Sequence, residues 1–335
     1  MPSAASRLCR LLEVEHPIIQ AGVPWVAGPE LVAAVSNAGA LGVLHPTAEM
    51  PLGGSVLEHL RTLVRRTRRL TSRPLGVALF LGQEEVRALM DAALEEGVHV
   101  LVTSGGSPAL YTGYLKDRGA KVLHHVASVR HARAAQAQGV DAVIAAGYAG
   151  GGLRGVDEVG TLALVPQVAD AVDVPVVASG GIGDARGVAA ALVLGAEGVQ
   201  LGTRFVATEE SAAHPRFKEA LLRATDTGTV VAGRYRAPTR LLRNEPSLRL
   251  REEVAPAEAG REAVAVHYDE RFGLRRARAA MLEGDVEGGI AYCGAGVGLI
   301  SEVLPAAEVV RRLVEEVPRL LEGARQRVSR PGSGR

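Results

Sequence analysis

Short apolar runs alternate with amphipathic stretches along most of the chain, the pattern of buried strands packed against helices. The first run, Pro17-Ile18-Ile19-Gln20, ends in Ala21-Gly22-Val23-Pro24; a helical stretch over Pro29–Asn37 follows and Gly39 stops it. Seven further runs predict strands at residues 40–44, 75–80, 99–103, 121–126, 142–146, 175–179 and 198–201. Helices are predicted between them at residues 56–69, 84–96, 108–117, 129–138, 161–171 and 185–194, with 306–321 completing the eighth unit. Glu96-Gly97-Val98, Gln138-Gly139-Val140 and Leu194-Gly195-Ala196 each carry the glycine-apolar step found just past a helix C-terminus.

Eight β/α units without an antiparallel hairpin signal predict an α/β fold of the (β/α)₈ TIM-barrel type. An open doubly wound sheet would carry Gly-x-Gly-x-x-Gly after its first strand, where this chain has Ala21-Gly22-Val23-Pro24. The barrel is expected to span residues 1–206 and 304–325. Residues 207–303, rich in Arg, Glu and Ala, are too long for a βα loop and are expected to form a helical subdomain over the catalytic end. Within it, residues 249–262, with Pro256, Gly260 and several charges, read as a mobile loop, and 326–335 as a flexible tail.

A hydrophobic content of 47% with 22% charge excludes a disordered chain, and no apolar run reaches the ~18 residues of a membrane span. Lys+Arg 38 against Asp+Glu 37 gives a net charge of +1, so no global field draws nucleic acid or an anionic membrane. Cys9 and Cys293 cannot build a disulfide framework or a four-thiolate zinc site, and no metal-ligand spacing occurs. The N-terminus lacks the apolar core of a secretory signal, which reads as cytoplasmic. The partner expected is a small-molecule substrate; of assemblies, a homodimer is the one considered.

The strongest chemical signal is a pair of glycine motifs on the seventh and eighth units, Ser179-Gly180-Gly181-Ile182-Gly183 and Gly198-Val199-Gln200-Leu201-Gly202-Thr203. In a barrel these loops are neighbours at the C-terminal face, where backbone N–H groups and short helix N-termini can hold a phosphate dianion. Tight βα turns alone would also use glycine. A third cluster, Ala146-Gly147-Tyr148-Ala149-Gly150-Gly151-Gly152, follows strand six and would let a flat ligand lie against backbone.

Together with Arg243-Asn244 and Gly294-Ala295-Gly296-Val297-Gly298, these motifs resemble the nitronate monooxygenase family, whose pattern the flavin-dependent enoyl-acyl-carrier-protein reductases share. The resemblance covers about residues 14–323. It implies an FMN-dependent oxidoreductase, with NADH or NADPH as a possible electron donor. Ser179, Gly180, Gly181, Gly202 and Thr203 would hold the phosphate, and Ala21, Gly22, Val23, Gly150 and Gly151 would border the ring.

Two departures bear on the activity. The family's strand-six loop typically reads Glu-Ala-Gly-Gly-His-x-Gly, and its histidine is the expected acid/base. Here Tyr148 stands where the glutamate is expected and Gly152 where the histidine is. Ala78 likewise occupies the place of a strand-three asparagine. The substrate is therefore expected to differ from simple nitronates, with an enoyl reductase or a flavin-binding protein lacking nitronate turnover as alternatives. His124 and His125 end strand five, and alternation points one inward and the other toward the helices. Either, or Tyr148, could replace the absent acid/base; His45, closing strand two, is a further rim imidazole. A phosphate-binding barrel like the IMP dehydrogenases would need a cysteine in a catalytic loop, and neither cysteine lies in the strand-six loop.

Overall fold

The computed structural model describes residues 6–83, 85–233, 237–252 and 273–328, and all eight apolar runs form parallel strands in it. They are β1 (Ile18–Gln20), β2 (Gly42–Leu44), β3 (Leu75–Phe80), β4 (Val100–Ser104), β5 (Lys121–Val126), β6 (Ala142–Ala146), β7 (Val176–Ser179) and β8 (Gly198–Leu201). Their order around the sheet is β1-β8-β7-β6-β5-β4-β3-β2. A helix lies between successive strands, and the three glycine-apolar steps end their helices as expected. Val98 N–H reaches Ala93 O at 2.8 Å and Ala196 N–H reaches Ala191 O at 3.0 Å.

The seam between β1 and β2 closes the barrel. Backbone pairing there is limited to the bridge of Ile19 with Leu41, flanked by Gln20 N–H to Leu41 O and Leu41 N–H to Ile18 O, both 2.9 Å. Beyond it the buried Gln20 carboxamide stands in for a strand: its Oε1 accepts from Val43 N–H at 3.0 Å, and its Nε2 donates to Val43 O at 3.3 Å and to Ala21 O. A side-chain amide offers the same donor and acceptor as a peptide unit, so the rim stays hydrogen-bonded where the backbones diverge.

Strand alternation sorts the core. Ile19, Leu41, Val43, Val102, Leu123, Ile144 and Val177 fill the barrel interior, whereas Val77, Leu101, Val122, Val126 and Val143 face the helices. A helix at Arg7–Leu12, absent from the sequence reading, inserts Leu8 and Leu12 into the interior cluster. It thereby plugs the N-terminal end of the barrel.

The long insertion, expected as a helical subdomain, holds strands as well as helices. Alongside helices Pro215–Arg223, Glu245–Glu252 and Leu274–Met281 it carries an antiparallel hairpin of Thr229–Ala232 and Thr239–Leu242. The two-residue strand Gly152–Leu153, from the loop after β6, joins its edge. Of the loop expected at 249–262, residues 249–252 instead end the helix Glu245–Glu252 and 253–262 lie outside the described residues, as do 329–335 of the expected tail. The final helix continues to Val328. Buried Arg204 fastens the insertion's roots, its Nη2 donating to Ala207 O at 2.6 Å and Glu302 O at 2.8 Å. Among the described residues no helix is long and apolar enough to cross a membrane, and no side-chain cluster suits a metal ion.

Replacing Gln20 by Leu keeps the volume but strands the Val43 N–H and C=O. Urea unfolding should show a loss of about 2–4 kcal/mol, the cost of two buried polar groups without partners. An unchanged midpoint would remove the carboxamide from barrel closure.

Candidate active site

The loops after β6, β7, β8 and β1 form one belt of backbone at the C-terminal face. Gly180, at φ +107°, sits so close that a Cβ there would lie 2.8 Å from both Gly147 O and Gly150 N. The Gly181 position touches Ala149, and Gly202 faces Ala21 and Val23. A Cβ on Gly22 would overlap Ala78 Cβ at 2.5 Å, so the first loop lies directly on β3. Ala78, unexpected at sequence level, is thus a small neighbour that lets this loop descend.

The strands beneath are buried up to the rim. Ala21, Gly22, Val23, Gly151, Ser179, Gly180, Gly181, Gly202 and Thr203 are half-exposed, while Gly150 is buried under the Arg154 guanidinium. Among the described residues, no carbonyl or side chain takes the N–H of Gly181, Ile182 or Thr203. Such a belt, without projecting side chains and with unpaired donors, fits a phosphate-bearing flat ligand. Ser179 Oγ instead donates to Gln200 Oε1 at 3.3 Å, and Thr203 Oγ1 accepts from Gly294 N–H at 2.9 Å. The Thr203 hydroxyl therefore also anchors the insertion.

Fastening continues along the strand-six loop. Ala295 N–H donates to Ala149 O at 2.8 Å, and Arg240 Nε to Tyr148 O at 3.1 Å, with the Arg240 guanidinium 5.5 Å from the Tyr148 ring centroid. The Cys293 backbone packs on Gly151, but burial pushes its thiol up to about 12. It supplies no thiolate near neutrality, which weighs against a cysteine-dependent barrel chemistry.

The structure resolves the choice between the paired histidines by register. Leu123 lies in the interior cluster, so His125, two residues on, points into the barrel mouth; His124 follows Val122 and Val126 toward the helices. His124 Nδ1 shares a 2.8 Å hydrogen bond with Thr103 Oγ1, and burial, with His131 nearby, lowers it to about 4. His125 is lowered to about 3, first by burial and then by the charge of Arg154. Arg154 folds back over its own loop, with Nε 3.3 Å from Gly152 O and Nη1 3.5 Å from Gly147 O. His45 shares the inward parity of Leu41 and Val43; burial lowers it to about 4, and its Nδ1 accepts from Thr47 N–H at 3.2 Å.

Sequence reasoning missed Gln20, Arg154 and Arg240. Arginines are ordinarily surface residues, and only the fold shows that these two bend over a glycine loop. Gly152 has φ +73° and only Tyr292 Cδ1 near, 4.0 Å from where a Cβ would stand. There is room for a side chain but not a relaxed backbone for one.

All three lowered imidazoles are neutral in the fold and protonate near pH 6.5 once unfolded. Stability is thus complete above about pH 6.5 and falls as the pH drops toward 4 for His45 and His124 and toward 3 for His125. The slope is at most about 1.4 kcal/mol per pH unit per group, and less for half-exposed His45 and His125. Urea midpoints at pH 7, 6 and 5 should fall progressively, less steeply in His124→Gln; a flat profile would contradict the neutral, desolvated imidazoles.

Comparison with known proteins fits this geometry. The chain is 35% identical to a nitronate monooxygenase of Pseudomonas aeruginosa, over 93% of this chain and 99% of that one. It is 38% identical to a 5-hydroxy-7a-methyl-1-oxo-octahydro-1H-indene-4-carboxyl-CoA dehydrogenase of Mycobacterium tuberculosis, over 71% of this chain but 66% of that protein's length. Among solved structures, FabK from Thermotoga maritima superimposes with a TM-score of 0.85 at 36% identity, covering 97% of this chain and 100% of that one. A nitroalkane oxidase from Streptomyces ansochromogenes does so with 0.79 at 31%, covering 95% and 99%. The nitronate monooxygenase family model matches residues 5–316, and the chain belongs to that family of oxidoreductases.

Proposed function

We propose that this protein is an FMN-dependent oxidoreductase that exchanges a hydride with an acyl-thioester-type substrate and turns over simple alkyl nitronates poorly. The observation that carries this reading is the inward register of His125 on β5 together with the Arg154 guanidinium folded over the strand-six loop, at a mouth where position 152 offers no side chain. Bound on the glycine belt, FMN would supply the hydride acceptor or donor. Backbone N–H groups of Gly181 and Thr203 would take its phosphate, and Ala21, Gly22, Val23, Gly150 and Gly151 would border its ring.

The remaining chemistry falls to the chain. Adding or removing a hydride next to a thioester carbonyl develops negative charge on the carbonyl oxygen, which a nearby cation and a neutral N–H donor stabilise. Arg154 provides the first and His125 the second. With its pKa near 3, His125 stays neutral at pH 7 and acts as a donor rather than as an acid. Tyr148, whose backbone Arg240 fixes, is the proton donor if His125 proves dispensable. The identity to a carboxyl-CoA dehydrogenase supports a thioester, and in the reductive direction NADH or NADPH would be the electron source.

Anaerobic mixing of the purified protein with NADH, NADPH, enoyl thioesters, saturated acyl thioesters and alkyl nitronates tests the reading through bleaching of the flavin absorbance. Response to a thioester or nicotinamide, with nitronates at least ~10²-fold slower, is expected; fast nitronate reduction alone would overturn it.

Gly181→Asp sets a carboxylate against the phosphate position and should purify without FMN; a stoichiometric flavin complement would displace the phosphate from this loop. His125→Ala should retain FMN and lose about 10²-fold in turnover, the scale of a missing oxyanion donor, whereas His124→Ala should leave the rate near wild type. Equal rates in both would shift the proton chemistry to Tyr148. Gly152→His should not restore nitronate turnover, since its φ of +73° costs a histidine about 1–2 kcal/mol.

A further inference from the structure

The insertion covers the catalytic face unevenly. It is fastened to the loops after β6 and β8 by the contacts above and reaches the loop after β2 through Arg278 Nε to Met50 O at 3.1 Å. Among the described residues, no hydrogen bond or ion pair joins it to the loops after β3, β4 or β5. Among the described residues, that side of the mouth carries no bonded cover, and His125 ends one of the strands that border it.

Phe80 stands on that side. It ends β3 opposite Ser104 of β4, and it shares the inward parity of Ala78 rather than the outward parity of Val77 and Leu79. The two other described phenylalanines, Phe205 and Phe217, are fully buried, yet Phe80 is 39% exposed. Its ring is nevertheless held in a slot. A Cβ on Gly105 would lie 1.8 Å from Phe80 Cε2, and one on Gly82 would lie 2.7 Å from Cε1. Two glycines on separate loops thus leave room for one aromatic ring that stays partly exposed. Leu52 and Leu110, 66% and 76% exposed, lie on the βα loops to either side.

An exposed aromatic gains little from being immobilised unless something lies on it. We propose that Phe80 is an apolar platform on which the hydrocarbon body of the substrate, an acyl chain or fused ring attached to the thioester, lies as it extends from the mouth toward the end of β3. This rests on the thioester reading above. By strand spacing, the β3 and β5 ends are about 10 Å apart, so a group reacting beside His125 would place carbons from about the sixth onward over the ring. Phe80 touches the substrate away from the reacting atoms and sets preference for its length rather than rate for its chemistry.

The test is calorimetric titration of the flavin-loaded protein with coenzyme A and with butyryl-, hexanoyl-, octanoyl- and decanoyl-CoA. Octanoyl- and decanoyl-CoA should bind tighter than hexanoyl-CoA by about twofold per added methylene, half the roughly fourfold of complete burial. Phe80→Ser should flatten that slope and leave butyryl-CoA unchanged, Phe80→Leu should restore part of it, and Leu70→Ser, remote from the mouth, should not alter it. Flavin content and melting temperature establish that each variant is folded. A slope that persists in Phe80→Ser, or none in wild type while every acyl-CoA binds, overturns the platform alone. No binding of any acyl-CoA overturns the thioester reading, and the platform with it.

Discussion

Backbone must come within van der Waals distance of backbone at several places over this barrel, and the site depends on that approach. The turn after β7 rests on the strand-six loop through Gly180, the insertion rests on that loop through Gly151, and the first loop rests on β3 through Gly22. A methyl group at Gly180 would meet a carbonyl oxygen and an amide nitrogen, neither of which can yield as a flexible side chain does. The same closeness that builds the belt clears its surface of side chains. Bare surface and packing constraint are therefore one feature, and a substitution there alters both.

The barrel was legible because its strands are buried on both faces and read as continuous apolar runs, bounded by helices with conventional stops at Gly97, Gly139 and Gly195. What escaped the sequence is what depends on distant pairing. The strand at Gly152–Leu153 has two residues and pairs with a partner nearly ninety positions away, so no local period announces it. The helix at Arg7–Leu12 lacks a long repeat, and its role appears only once Leu8 and Leu12 meet the interior cluster. Gln20 sits in an apolar run where a polar residue would ordinarily be outward, and its partner Val43 belongs to a strand beyond the intervening helix.

The site was legible in kind more than in arrangement. Glycine motifs located the belt, and alternation allowed one inward histidine on β5 without choosing it; Leu123 in the barrel interior makes the choice. That the inward imidazole stays neutral comes from burial and from Arg154, a residue whose loop position carried no hint of folding back. The mouth thus carries an arginine folded over the strand-six loop and an inward imidazole that burial keeps uncharged near neutrality.

Arg204 gives the architecture a further property. By holding Ala207 O and Glu302 O with one nitrogen, next to the bridge of Thr208 with Leu304, it brings the two ends of the insertion together beside the last strand. To the barrel, everything between those ends is a closed excursion. The entropy of such a closure rises only with the logarithm of its length, roughly 0.6 kcal/mol for each doubling. Segments can then be gained or lost between the clamped ends at small thermodynamic penalty, so the cover over the mouth can diverge in size while the catalytic strands keep their register.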